Sequence, residues 1–189
     1  MWLIIGVSGA TCSGKSILAT SLQKELPGSS LICQDDFFLP VDSELHTTIP
    51  ALNHINWEII SSLDMERMHA VTENLLVSGI KITNGCDDKQ TSGVSILIIE
   101  GFLIFNDKKL ADLCHRKYFL TLTKEQCWAR RHIRTYDPPD VPGYFDQCVW
   151  PEYEKHRDQV FKEVPNVILI DGNRDKTSIM RQVLLETVQ

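Results

Sequence analysis

The chain has 189 residues, 43% of them hydrophobic and 23% charged, with a net charge of −6. This balance fits one folded domain with an ordinary core and excludes a disordered, collagen-like or coiled-coil chain. No apolar run approaches the ~18 residues of a membrane span, and the acidic balance disfavours a broad nucleic-acid surface.

Residues 2–7 (Trp-Leu-Ile-Ile-Gly-Val) are continuously apolar, as in a strand buried on both faces. They lack the basic flank and the length of a secretory signal. Gly9-Ala10-Thr11-Cys12-Ser13-Gly14-Lys15-Ser16 follows and fits G-x-x-x-x-G-K-[ST], the phosphate-binding loop. Gly9 and Gly14 permit the sharp turns that aim several N–H groups at phosphate. Lys15 would reach the β- and γ-phosphates, and Ser16 would ligate Mg²⁺. Residues 15–26 carry Leu18, Leu22 and Leu26 at helical spacing and stop at Pro27-Gly28.

Residues 30–33 read as a second strand, ending in Gln34-Asp35-Asp36-Phe37-Phe38. Ligands of open α/β sheets bind beyond the carboxyl ends of strands, so an acid here lies beside the phosphate loop. Neighbouring side chains in extended chain point opposite ways, so one carboxylate of the pair faces the site, and Asp35 is expected to be the proton acceptor. Residues 39–56 contain Pro40 and Pro50 without periodicity and read as loop. A helix is expected over 58–77, with Ile59, Ile60, Leu63, Met68, Val71 and Leu75 inward, then a polar surface loop over 84–93. Residues 95–99 form a strand ending at Glu100, which resembles an arrangement that holds water on Mg²⁺. Residues 118–122 form another strand.

Thr123 with Gln126 is a capping-box pattern that predicts a helix over 124–136, closed by Pro138-Pro139. This is the basic part of the chain: residues 108–134 hold eight Lys/Arg against Asp112 and Glu125, leaving −12 on the rest. Arg130 and Arg134 are expected on one face and Arg131 about 100° away, which suits two ligands, one arginine on the ATP phosphates and one on the acceptor. A helix over 151–162, a strand over 167–170 and a helix over 176–188 complete an α/β sandwich with a mostly parallel sheet. The six cysteines show neither C-x-x-C nor zinc spacing, which fits reduced thiols in a cytoplasmic protein.

A phosphate loop alone leaves a switch GTPase, a motor ATPase, a transporter ATPase or a small-molecule kinase open. The absence of an Asn-Lys-x-Asp guanine reader, the small size and the arginine-rich segment favour the kinase. A nucleotide-binding scaffold without turnover is the rival from another class; the presence of Lys15, Ser16, Asp35 and Glu100 argues against it.

The chain resembles the nicotinamide riboside kinases, within the uridine-kinase-like branch of P-loop kinases. The matching blocks are Gly9–Ser16, Gln34–Phe38, Ile98–Phe105, Tyr118–Thr121, Arg134–Asp140, Pro142–Asp146, Val149–Pro151 and Asp171-Gly172. The resemblance implies a single P-loop kinase domain over 1–189, with a five-stranded parallel sheet flanked by helices and a small lid near 124–145. It implies transfer of a phosphoryl group from ATP or GTP, with Mg²⁺, to the 5′-hydroxyl of nicotinamide riboside. A uridine or cytidine kinase is the alternative. By position it makes Asp35 the general base near Mg²⁺, with Ser16 and Glu100 as the other metal residues. The loop Gly9–Ser16 with Ile17, Arg130, Arg134, Tyr136 and Arg174 would hold the nucleotide. Asp36, Phe37, Phe38, Trp57, Glu58, Arg131, Tyr136, Asp137 and Asp140 would hold the riboside. Two positions depart from the family's usual pattern: Glu58 stands where Asp is more usual, and Trp57 where Tyr is frequent. A small-molecule nucleoside is the expected partner, with no nucleic acid or membrane, in a monomer or weak dimer. Nicotinamide riboside carries a pyridinium, and Trp57, Tyr136 and Phe38 offer π-faces to a cation.

Overall fold

A computed structural model describes residues 1–78 and 94–188. The polar loop expected over 84–93, with Cys86, lies outside the described residues. Five parallel strands form the central sheet in the order β2-β5-β1-β6-β7. They are β1 (Trp2–Gly9), β2 (Ser30–Cys33), β5 (Ser95–Glu100), β6 (Arg116–Thr121) and β7 (Val167–Asp171). A separate antiparallel pair, β3 (Thr48–Ile49) with β4 (His54–Ile55), gives structure to a stretch expected to be loop. Its two partners are joined by a 3₁₀ turn, Pro50–Leu52, in which Asn53 closes the turn in the left-handed region.

The strands read as apolar runs because both faces are covered. Ile4, Leu97, Ile99 and Phe119 face a layer formed by α2 (Met65–Ser78), α3 (Lys108–Leu113) and α5 (Trp150–Glu163). Ile5, Val7, Ile98, Tyr118 and Leu120 alternate to the opposite face. There they pack against α1 (Lys15–Glu25) and α6 (Lys176–Val188), through Leu18, Leu22, Ile179 and Val183.

Two helices begin or end elsewhere than the spacing predicts. The helix expected over 58–77 starts only at Met65, because Asp64 caps it: its Oδ1 accepts from Arg67 N–H at 2.9 Å. Leu63 is buried from the preceding turn, whereas Ile60 and Val71 are exposed. The helix α4 spans Lys124–Arg131, not 124–136. Its capping box at Thr123 and Gln126 is formed in full. The β-branched Ile133 and Thr135 favour no further helical turn, and Arg134 N–H instead closes a tight turn on Arg131 C=O at 3.0 Å. Arg134 therefore lies beyond α4 and does not share a helical face with Arg130.

After the loop that follows α4, a wide π-type turn, Phe145–Val149, runs directly into α5. Pro151 near the start of α5 explains the widening: it has no N–H for the ladder, and its ring crowds the carbonyl four residues back. Among the described residues, no helix is long and apolar enough to cross a membrane.

Candidate active site

The strand ends are nearly flush. Glu100, the last residue of β5, is in register with Cys33 on one side and Val7 on the other. A cleft of about 730 Å³ opens beyond them, a size typical of small-molecule sites. Its floor is the loop from β1 to α1. Gly9 takes a positive φ of 130°, and a Cβ there would collide with the Leu120 backbone. Gly9 and Ala10 lie beneath the loop, with Ala10 N–H on Leu120 C=O at 2.9 Å. Thr11, Cys12, Gly14, Lys15, Ser16 and Ile17 face the cleft. Lys15 Nζ donates to Ala10 C=O at 2.8 Å, so the ammonium folds back over its own loop. Ser13 faces a neighbouring cleft of about 380 Å³, where Arg130, Gly172 and Arg174 also lie. Ser13 Oγ is buried with no partner.

Asp35 opens into the main cleft, and Asp36 and Phe37 do not. The expectation that extended chain would separate the two acids is replaced by a 3₁₀ turn, Gln34–Phe37. The turn buries Phe37 in the core, with the Arg67 guanidinium 4.8 Å over its ring. Asp36 projects to solvent, and its carbonyl accepts from Arg67. Neither belongs to the cleft wall. Gln34 is fully buried, and its Oε1 accepts from Leu103 N–H at 2.9 Å. That bond joins the end of β2 to the turn beyond β5.

Glu100 lies behind Asp35, buried, and accepts from the Cys33 thiol at 2.9 Å. Burial and Glu100 push the Cys33 thiol up, so it remains a donor. Asp35 is wet through the cleft mouth, yet desolvation pushes its carboxyl above the ordinary carboxylate value. Lys15 opposes that shift and Glu100 adds to it.

The wall opposite the phosphate loop is aromatic and acidic. Phe38 meets Trp57 edge-on at 5.7 Å and stacks on Phe102 at 5.9 Å. His46 meets the Trp57 ring at 4.6 Å. Burial pushes Glu58 up; Arg131 opposes this and Asp140 reinforces it. Arg131, also buried, donates to both Asp140 oxygens at 2.7 and 2.9 Å, to Thr11 Oγ1 at 3.1 Å, and lies 3.3 Å from Glu58. Burial works against its charge, but the Asp140 hydrogen bonds and Glu58 outweigh it and push its pKa up. Its guanidinium stacks 4.4 Å over Tyr136. The Tyr136 hydroxyl lies 3.4 Å from Cys12 Sγ and is pushed up to about 12 by burial and that contact.

Arg130 donates to Cys12 C=O, Gly172 C=O and Asn173 Oδ1 at 3.2, 3.1 and 2.9 Å, bridging the phosphate loop and the turn after β7. Arg174 on that turn donates to Gln182 and Ser178 of α6. Arg134 and Asp137 line the main cleft from the segment beyond α4.

Sequence reasoning missed Phe102, Leu39, Val41, Pro138 and Tyr144, all of which line the same cleft. Phe102 had a usable signal, since it follows a strand that ends in an acid. Leu39 and Val41 had none, because their stretch lacks periodicity.

No family profile matches the chain. It is similar to solved kinases: a shikimate kinase from Acinetobacter baumannii in complex with shikimate superposes with a TM-score of 0.59 at 16% identity, covering 100% of this chain and 94% of that one. Curated relatives are nearer. Nicotinamide riboside kinase 2 of Mus musculus is 38% identical over 187 residues, 97% of this chain and 94% of the relative. Nicotinamide riboside kinase 1 of Homo sapiens is 41% identical over 186 residues, 98% of this chain and 92% of the relative. Identity at that level along nearly the full length of both proteins reaches well beyond a shared fold, and the chain belongs to the nicotinamide riboside kinase family.

Proposed function

We propose that the chain transfers the γ-phosphoryl group of ATP to the 5′-hydroxyl of nicotinamide riboside, releasing nicotinamide mononucleotide and ADP. The observation that carries this reading is one cleft in which Lys15 and Ser16 of the phosphate loop meet Asp35 and the wall of Trp57 and Glu58. The family relatives support the same reaction.

The loop N–H groups and the N-terminus of α1 receive the phosphates. Lys15 exchanges its bond to Ala10 C=O for a phosphate oxygen, and Arg130 sits where the nucleotide would cross between the two clefts. Arg174 and Gly172 flank the base. Asp35 accepts the hydroxyl proton as the riboside oxygen bonds to phosphorus and the bond to the β-phosphate oxygen breaks. Its raised proton affinity suits a base. Glu58 holds the ribose hydroxyls, and Trp57, Phe38 and Phe102 pack on the ring. Glu58 and Asp140 share one guanidinium, leaving a net negative charge beside the ring that favours a pyridinium over a neutral base.

The residues fit Mg²⁺. Ser16 and Asp35 offer hard oxygen donors in the same cleft, with Glu100 behind them. Among the described residues no group of three or more acidic, His or Cys side chains forms a cage, as fits an ion that keeps waters and phosphate oxygens as ligands. When bound, Mg²⁺ neutralises charge on the phosphate oxygens.

The deciding experiment measures ADP formation with nicotinamide riboside, nicotinic acid riboside, uridine and cytidine. Highest kcat/KM with the nicotinamide compound is expected. A higher value with uridine or cytidine would make the chain a pyrimidine nucleoside kinase, and no nucleoside-dependent ADP would make it a binding protein.

A further inference from the structure

The dipeptide Trp57-Glu58 lies in irregular chain between β4 and α2. Nevertheless, all four of its main-chain polar groups are matched by side chains. Trp57 N–H donates to Tyr144 Oη at 3.0 Å, and Trp57 C=O accepts from Ser62 Oγ at 3.0 Å. Glu58 N–H donates to Asn56 Oδ1 at 3.0 Å, and Glu58 C=O lies 3.0 Å from His156 Nε2. Asn56 and Ser62 are neighbours in sequence and make ordinary turn contacts. Tyr144 and His156 come from 87 and 98 residues away, one just before the π-type turn and one on α5.

Both distant groups are themselves fixed. Tyr144 is 1% exposed, and its ring meets His54 edge-on at 4.8 Å. Burial pushes the Tyr144 hydroxyl up, with Glu58 adding to the shift, so it stays neutral. A carbonyl only accepts, so His156 must carry its proton on Nε2. Glu152 Oε2 lies 3.4 Å from the same nitrogen and supports that tautomer.

We propose that Tyr144 and His156 are positioning residues of the acceptor subsite: they fix the Trp57-Glu58 main chain so that the indole and the carboxylate meet the riboside in one orientation. The inference rests on the reading of Trp57 and Glu58 as the riboside wall. An irregular segment is free to shift unless its polar groups are held, and displacement of about 1 Å at a binding site is costly. Removing a distant partner leaves a buried N–H or C=O unpaired, and the segment moves to pair it elsewhere.

The test uses Tyr144→Phe, which keeps the ring, and His156→Leu, with His156→Gln restoring an N–H donor. Glu58→Gln is measured in parallel. For each, kcat, the riboside KM, the ATP KM and the melting temperature are determined. Tyr144→Phe and His156→Leu are expected to raise the riboside KM roughly tenfold, with the ATP KM within about a factor of two of wild type and partial recovery in His156→Gln. Should Glu58→Gln raise the riboside KM while Tyr144→Phe leaves it unchanged, positioning is overturned and the riboside wall stands. No effect in Glu58→Gln overturns both. Parallel rises in the two KM values, or a lower melting temperature alone, reduce the pair to packing and also overturn the proposal. If His156→Leu does not fold, Tyr144→Phe decides.

Discussion

Asp35 combines an open position in the cleft with a raised proton affinity. Asp35→Asn should lower kcat by ~10²–10⁴-fold while ATP still binds. A rate within threefold of wild type would remove the residue from proton transfer. The acid limb of kcat/KM should lie above ~3.9, the ordinary Asp value, because burial raises this group. Trp57 tests selectivity. Trp57→Leu keeps an apolar wall and removes the quadrupole, worth ~0.5–2 kcal/mol to a cation. Nicotinamide riboside should therefore lose roughly 2- to 30-fold more kcat/KM than uridine; equal losses would leave Trp57 a packing residue. At this scale the sequence was informative wherever a motif dictates backbone shape. Gly9 to Ser16 could be read because the tight approach of Gly9 to the Leu120 backbone, at a φ of 130°, leaves no room for a Cβ. Asp36 and Phe37 could not, since telling a 3₁₀ turn from extended chain needs the contact of Phe37 with Arg67 and the core.

The elements were legible to the degree that their signals are local. Thr123 and Gln126 announce α4 because both halves of a capping box lie within one turn. Thr123→Ala should cost about 1 kcal/mol of stability, seen as a lower denaturation midpoint. Its effect on the riboside KM should be small, since Thr123 lies outside the cleft; an unchanged midpoint would show that the cap contributes nothing. The end of α4 and the start of α2 were less legible. Apolar spacing at Ile59, Ile60 and Leu63 imitates a helix, and Asp64 overrides it by pairing with Arg67 N–H. The pairing of β3 with β4 depends on backbone contacts that a two-residue strand does not advertise.

Across the whole molecule, the cleft carries a stability cost. Folding raises the proton affinity of Asp35 and Glu58, so each contributes stability that is fully present below the ordinary carboxylate range and is lost as pH rises through the raised values. Asp35→Asn removes one such loss. The variant should melt higher than wild type at pH 7, and the gap should narrow as pH falls towards ~4. A lower melting temperature at pH 7 would show that the attraction of the Lys15 charge outweighs burial. The alternation of Ile4 with Ile5, and of Leu97, Ile98 and Ile99, made the three-layer sandwich legible as continuous apolar strands. The contacts of Tyr144 and His156 with the Trp57-Glu58 main chain were not legible, because they join residues nearly a hundred positions apart.

Gln34 is a rivet in this assembly. By accepting the Leu103 amide it ties the tip of β2 to the turn after β5, so the segments that carry Asp35 and Glu100 are joined at their ends. The edge of the cleft that carries Asp35 is thereby held to the sheet. In amide-exchange terms, Leu103 should share the slow, globally limited exchange of the sheet with or without substrates, whereas the cleft-lining segment beyond α4 should gain protection on loading.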